Sequence, residues 1–311
     1  MLKTLTKFSP VLALESFESF LLADYGRTLK FLSTVNPEVL EEISKKKALK
    51  VFKQAARKTP AYRSFLSVNR IKPSLINTIK QFNKKVPNTD KENYIKKYPL
   101  QDRCQLGQLP THGNVDESGG TSGVATNWIH DFSEEELLFK AVKFEFDYAF
   151  DGEKKDYFVI SAWSVGPWAT GIKFSELMEK IALVKNTSTD IKDIVNTLKM
   201  FGKKRNYLLG GYPPFVKSLL DSKKVDWKSY KIDLVIGGEG VTLDWVNYVK
   251  SKLRRGSKIV SSYGASDIDI GIGFETPLCM ELRKLISKSK NLQNKLFGKE
   301  GVPMVFQYNP T

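Results

Sequence analysis

The sequence predicts an α/β fold: a helical N-terminal region followed by a largely parallel sheet flanked by helices. Three observations carry this expectation. Apolar residues in the first hundred positions recur at helical spacing. From about residue 110, short β-branched or aromatic runs alternate with amphipathic helical stretches, the pattern of strands joined by helical crossovers. The 311 residues, 41% hydrophobic and 27% charged, suffice for a sizeable core and exclude wholesale disorder. At roughly 150 residues per domain the length suggests one large domain or two. The change of texture places the division at 1–105 and 106–311.

The elements follow in chain order. Val39, Leu40 and Ile43, then Ala48, Leu49, Phe52 and Ala55, recur at helical spacing. Lys58-Thr59-Pro60 ends that run, because the residue before a proline is pushed out of the helical region. Thr89 or Asp90 caps a short helix that stops before Pro99. Ser133 and Glu136, three residues apart, read as a capping box. Leu137, Ala141, Phe144 and Tyr148 share one face of the helix that follows. Strands are expected at Tyr157–Ser161, Asn206–Leu209, Ile232–Ile236, Lys258–Ser262 and Pro303–Gln307. Helices are expected at Thr189–Phe201, Pro214–Leu220 and Leu243–Leu253.

Composition excludes several classes. Cys104 and Cys279 are the only cysteines, so neither a disulfide scaffold nor a cysteine-rich zinc module is available. Two isolated thiols fit a reducing, cytoplasmic setting. The longest uncharged stretch, Tyr157 to Ile172, is cut by Gly166, Pro167 and Gly171, and a span needs about 20 mostly apolar residues. Val11 to Leu22 carries Glu15 and Glu18 and does not read as a signal peptide. The formal net charge is +15. Its densest groups, Lys45-Lys46-Lys47, Lys203-Lys204-Arg205 and Arg254-Arg255, fall near expected helix ends, where cations complement the helix dipole. Basic residues interleaved with aromatics are missing, so no nucleic-acid partner is expected. His112 and His130 are too few and too far apart in sequence for a metal site.

Three segments concentrate chemistry. Ser118-Gly119-Gly120-Thr121-Ser122-Gly123 combines glycines, which let backbone approach a ligand, with hydroxyls and amides suited to phosphate oxygens. No Gly-Lys-Ser/Thr follows, so it is not a Walker loop; a flexible surface loop is the competing reading. Gly237-Gly238-Glu239-Gly240 directly follows an expected strand, where α/β sheets bind ligands. An ordinary strand-to-helix turn capped by Thr242 or Asp244 competes with that reading. Tyr263-Gly264-Ala265-Ser266-Asp267 follows another strand and offers a ring, a hydroxyl and a carboxylate. Its competitor is a solvated acidic turn. Trp163-Ser164-Val165-Gly166-Pro167-Trp168 places two indoles around a glycine turn, either as core or as the wall of an apolar pocket.

In this order the segments resemble the motifs of the adenylate-forming superfamily of acyl-CoA synthetases, luciferases and peptide-synthetase adenylation domains. Ser118 to Thr126 is similar to its S-G-T-T-G-x-P-K loop, Tyr263 to Asp267 to its Y-G-x-T-E motif, and Gly237-Gly238-Glu239 to its adenine-side segment. The stretches Ala55–Arg63, Pro87–Lys91, Gly211–Pro214 and Gly273–Pro277 resemble the phenylacetate–CoA ligase branch and its capsule-biosynthesis relatives. The loop departs from the pattern at Gly120 and at Ala125-Thr126, and Asp267 replaces a glutamate.

The resemblance, which covers about residues 48 to 311, implies the large N-terminal domain of such an enzyme. It implies truncation as well: a ribose-binding aspartate, a hinge and a lid domain with a catalytic lysine belong beyond Thr311. It implies activation of a small carboxylic acid, aromatic or apolar, through an acyl-adenylate, then transfer to a thiol such as coenzyme A. ATP, magnesium and coenzyme A are the implied ligands. Ser118, Gly119, Gly120, Thr121, Ser122 and Gly123 would hold the β- and γ-phosphates, and Ser266 the α-phosphate. Gly238, Glu239, Tyr263 and Gly264 would form the adenine site, and Asp267 would hold magnesium. Trp163, Gly166 and Trp168 would border the acyl pocket. A catalytically degenerate nucleotide- or partner-binding homologue is the alternative, and homodimerisation stays open.

Overall fold

The structure is a computed structural model describing residues 11–118, 125–299 and 301–308. The described residues fall into two compact units, 11–115 with 125–137 and 116–118 with 138–308.

The first unit is mainly helical: α1 (Val11–Leu22), α2 (Tyr25–Thr34), α3 (Pro37–Lys58), α4 (Pro60–Val68), α5 (Ile79–Lys85) and α6 (Leu100–Arg103). Its helix starts follow capping chemistry. Asn36 accepts from the Glu38 amide, and Thr78 and Gln81 form a reciprocal capping box. Thr59 adopts an extended conformation that closes α3, and Pro60 then opens α4 at a position where its missing N–H costs nothing. Asp90 caps the turn Lys91–Ile95, as one of the two expected candidates. The core packs Phe52 and Ala56 of α3 on Phe65 and Leu66 of α4, with Ile76 and Val86 beside them.

Two further elements, β1 (Gly113–Ser118) and β2 (Thr126–Asp131), form a two-stranded sheet, and α7 (Phe132–Phe150) follows. The helix starts one residue before Ser133, so Ser133 occupies a helical position rather than the flanking position of a capping box. Leu137 and Tyr148, expected on a shared face with Ala141 and Phe144, are exposed, whereas Phe146 and Phe150 are buried one turn apart. So many positions of this helix are apolar that spacing alone does not select the core stripe.

The second unit contains β3 (Tyr157–Ala162), α8 (Ala169–Met178), β4 (Leu183–Asn186), α9 (Ile191–Phe201), β5 (Asn206–Gly211), α10 (Pro213–Asp221), β6 (Lys231–Ile236), α11 (Leu243–Lys252), β7 (Ile259–Ala265), β8 (Asp269–Phe274), α12 (Pro277–Ser287), α13 (Lys290–Phe297) and β9 (Gln307–Tyr308). These strands form one sheet in the order β4-β3-β5-β6-β7-β8-β9, parallel from β4 to β7 and antiparallel from β7 to β9. The expected α/β class with a largely parallel sheet is therefore present. The strand expected at Pro303–Gln307 is reduced to Gln307–Tyr308; β4 and β8 were not expected.

The central strands are buried on both faces, as parallel sheets are. Phe158, Ile160, Tyr207, Leu209, Ile232 and Leu234 face one way, toward residues of α9, α10 and α11. Tyr157, Val159 and Leu208 face the other way, toward Phe146 and Phe150 of α7 and Phe174 and Met178 of α8. At the N-terminal ends of the strands, the Tyr157 hydroxyl donates to Asp233 at 2.6 Å, and Asp233 accepts the Lys258 amide at 2.7 Å. The Lys258 ammonium reaches Asp151 at 2.8 Å. Lys258 and Lys155 together hold the Asp151 carboxyl down at about 2.

Among the described residues no helix is long and apolar enough to cross a membrane. A buried ion pair ties α12 to the end of β8: Arg283 meets Glu275 at 2.6 Å, each side chain 1% exposed, and also donates to the Val241 carbonyl. Removing one partner leaves a buried charge uncompensated. Arg283→Met is expected to lower stability by about 3–5 kcal/mol, read as a loss of ΔG in urea unfolding. A loss under about 1 kcal/mol would show the pair to be dispensable.

Candidate functional site

β4 and β5 lie on opposite sides of β3, so the chain leaves β3 and β5 in opposite directions. Such a switch point opens a crevice at the carboxyl ends of the strands. A cavity of about 650 Å³ lies there. Trp163 and Ser164 border it after β3, Tyr212 after β5, Gly237 and Gly238 after β6, and Ser262 to Ser266, apart from Tyr263, along β7. Val142, Phe146, Ala149, Phe174, Met178 and Leu208 supply an apolar wall from α7, α8 and β5.

Glycines make this space. A Cβ on Gly210 would lie 2.7 Å from the Trp163 Nε1 and 2.9 Å from the Phe174 ring, so the two rings pack only because that position is bare. Gly238 has φ of +80°, which disfavours side chains, and a Cβ there would meet the Tyr212 ring at 3.4 Å.

The end of β1 is anchored beside the cavity at three points. Asp116 pairs with Lys173 of α8 at 3.1 Å, both side chains almost fully buried. The Glu117 amide donates to the Pro167 carbonyl at 2.6 Å. The Ser266 hydroxyl donates to the Glu117 carbonyl at 3.4 Å. Ser118 follows, its hydroxyl buried and without a partner among the described residues. Gly119, Gly120, Thr121, Ser122 and Gly123 lie outside the described residues.

Of the other residues singled out in the sequence, Gly238, Gly264, Ser266, Trp163 and Trp168 line the cavity. Trp163 is 7% exposed within the core and also lines the cavity. Trp168 is half exposed, and Gly166 lies close under its ring. Glu239 is exposed next to Gly238, and its carboxylate hydrogen-bonds the Tyr212 hydroxyl, raising that phenol above its ordinary range. Tyr263 does not line the cavity; it is half exposed with its ring centroid 5.5 Å from that of Phe306. Asp267 is exposed in the turn between β7 and β8. Thr242, not Asp244, caps α11, accepting from the Trp245 amide.

Tyr212 and Glu145 are polar lining residues that had no site role in the sequence. Tyr212 belongs to the segment Gly211–Pro214, whose paired prolines open α10. Glu145 stands on α7 among apolar residues, and its carboxyl borders the cavity. Burial alone pushes that carboxyl up to about 8. Among the described residues it forms no hydrogen bond or ion pair. Its neighbour Lys143 is taken up by Asp147 at 2.5 Å and Glu153 at 3.0 Å. A charged residue inside an apolar helix stripe is the signal that could have marked it.

No family model matches the chain, and no curated protein is significantly similar to it. Solved structures are similar in fold. The open conformation of 2-hydroxyisobutyryl-CoA ligase in complex with 2-HIB-AMP and CoA aligns with a TM-score of 0.60 at 14% identity, covering 76% of this chain and 56% of that one. The postadenylation state of that ligase, in complex with 2-HIB-AMP, aligns with a TM-score of 0.60 at 14% identity over 77% of this chain and 50% of that one. Its thioesterification state gives 0.58 at 14% identity over 73% and 50%. The chain thus spans about half the length of the structures it matches, and what it shares with them is the fold.

The raised carboxyl of Glu145 has a consequence for stability. Below about pH 4.5, its ordinary value, folded and unfolded chains both hold the proton. As pH rises toward about 8 the unfolded chain releases it while the folded chain keeps it, so the contribution of this group falls across that window. Glu145→Gln is expected to remove that decline, seen as a widening stability advantage of the variant over wild type between about pH 4.5 and 8 in urea titrations. A pH-independent difference would place the carboxyl in water.

Proposed function

We propose that this chain binds ATP and a carboxylic acid for adenylation, as part of an acid–thiol ligase of the adenylate-forming type. The observation that supports the reading most is convergence. The stem of the glycine-rich loop, the Gly237-Gly238 turn and the Ser262–Ser266 strand end meet at one crevice over a switch point. One part of its wall presents backbone and hydroxyls, suited to a nucleotide; another is apolar, suited to the acid. Within the family, the phenylacetate–CoA ligase-like branch remains our reading of the sequence motifs.

In this reading residues 106–311 carry the nucleotide-binding part, and residues 1–105 form a helical region before it. Ser118 to Gly123 hold the β- and γ-phosphates, with the unpartnered Ser118 hydroxyl as one donor. Ser266 faces the α-phosphate. Gly238 and Glu239 border the adenine, with Gly264 on its other side; the Tyr263 ring, which stands by Phe306 outside the cavity lining, would have to turn to stack on it. Trp163, Gly166 and Trp168 border the acid.

Magnesium fits the residues present. Among the described residues no three metal-ligating side chains gather, and Asp267 stands alone and exposed beside Ser266. Magnesium typically takes one or two carboxylates plus substrate phosphates rather than a full protein cage. Asp267 would supply that carboxylate, and the ion would neutralise phosphate charge.

The chemistry asks for positioning and charge neutralisation more than for acid–base groups. A carboxylate oxygen attacks the α-phosphorus, the bond to the β-phosphate oxygen breaks, and pyrophosphate leaves. A thiol sulfur then attacks the acyl carbon, its proton is released, and AMP leaves. The protein's task is to hold the carboxylate in line with the α-phosphate and to exclude water. Asp116–Lys173 and the Glu117–Pro167 bond fix the loop stem for that purpose.

Calorimetry with ATP and magnesium on the 311-residue chain tests the reading. Saturable binding is expected. Ser266→Ala removes one hydrogen bond and should weaken it roughly fivefold. Gly238→Val forces a branched side chain to a positive φ and should weaken it by about tenfold or more. Absence of binding by the folded chain would contradict the reading. Binding without pyrophosphate release in the intact protein, across a broad acid panel, would favour a degenerate nucleotide-binding homologue.

A further inference from the structure

The chain carries 49 basic residues and a net charge of +15, yet among the described residues no lysine, arginine or histidine lines the cavity. The charged residue that lines it among the described residues is acidic, Glu145. The residues of its own helix that line the cavity with it, Val142, Phe146 and Ala149, are apolar, as are Ile270 and Gly271 of β8. Gly271 keeps the space beside it open; a Cβ there would sit 3.1 Å from Val142 and 3.8 Å from the Glu145 Oε2. Other polar groups of the lining include the hydroxyls of Ser164, Thr170, Tyr212, Ser262 and Ser266 and the Trp163 indole N–H, which has no partner among the described residues.

Glu145 is partly exposed, toward the cavity, and a carboxyl set against apolar surface with no partner lacks hydration that a ligand in the cavity would replace. Hydrogen-bond donors therefore suit this position, and a cationic donor suits it best, because an opposite charge in a low-dielectric site stabilises the carboxylate. A second carboxylate on the substrate would meet a like group and no base. A purely apolar acid would leave the Glu145 carboxyl stranded.

We propose that Glu145 sets the specificity of the acid site, and that the acid taken there carries a protonated amine that pairs with this carboxylate. The proposal rests on the reading of the cavity as the acid site of an adenylating enzyme. It goes beyond that reading by assigning the substrate class, amine-bearing carboxylic acids, and the residue that recognises it. Because burial holds a proton on Glu145 up to about 8, pairing with an ammonium at pH 7 should release that proton on binding.

The test uses the 311-residue chain with ATP and magnesium present and reads direct binding by calorimetry. The panel contains α-, β- and ω-amino acids, each beside its deamino and its hydroxy counterpart, with dicarboxylic acids as a further arm. The expected result is at least one amino acid bound about tenfold or more tightly than its deamino counterpart. Its enthalpy should depend on the ionisation heat of the buffer, the signature of proton release. Glu145→Gln should abolish both the preference and the buffer dependence. Should that variant fail to fold, the wild-type preference and its buffer dependence decide the question alone. Deamino acids, hydroxy acids or dicarboxylic acids bound as well as or better than every amino acid would overturn the proposal while leaving ATP binding intact. Failure of ATP itself to bind would remove the underlying reading, and the proposal with it.

Discussion

The second unit depends on one steric constraint. A parallel sheet covered on both faces has room for a ligand only where strand ends lose their side chains. Here β5 ends in Gly210-Gly211 and β6 runs into Gly237-Gly238. At Gly210 the missing side chain is occupied by the edges of Trp163 and Phe174, which then form a wall instead of a plug. The opposite ends of the same strands carry the Tyr157–Asp233–Lys258–Asp151 network. The sheet is thus pinned at its amino ends and open at its carboxyl ends.

That asymmetry explains the use of buried charge. Lys173–Asp116 is a nearly dry ion pair, a poor device for stability but one that fixes register when both partners are present. It sets the end of β1 beside the cavity, together with the Pro167 and Ser266 contacts of Glu117. Arg283–Glu275 does similar work behind β8. Each pair joins opposite charges within the fold, whereas Glu145 has no charged partner among the described residues.

Much of this was legible in the sequence. The strands β3, β5 and β6 are dense apolar runs, and the structure keeps them nearly to the residue. Asp90 and Thr242 cap helices as their side chains allow. The misses share a cause, which is that tertiary contact rather than local pattern decides them. β4 is a short, half-exposed edge strand, Leu183–Asn186, with no alternation to mark it. β8, Asp269–Phe274, alternates glycine with apolar residues and looks like a loop until β7 pairs with it. Pro303 cannot donate to a ladder, and the strand there begins only at Gln307. Gly238, Gly264, Ser266, Trp163 and Trp168 were singled out in the sequence and line the cavity; clusters of glycines, hydroxyls and indoles after strands are visible locally. Glu145 was not singled out, since the cavity it lines is completed by β8, more than a hundred residues along the chain.

The central claim is that a nucleotide sits at the carboxyl ends of β5, β6 and β7. Hydrogen exchange of the chain with and without magnesium and ATP tests it most directly. The account predicts slowed exchange in the segments 237–242 and 262–267 and at the end of β1, with no change in the helical segment 37–68. Protection confined to other segments, or no protection at saturating ATP, would contradict it.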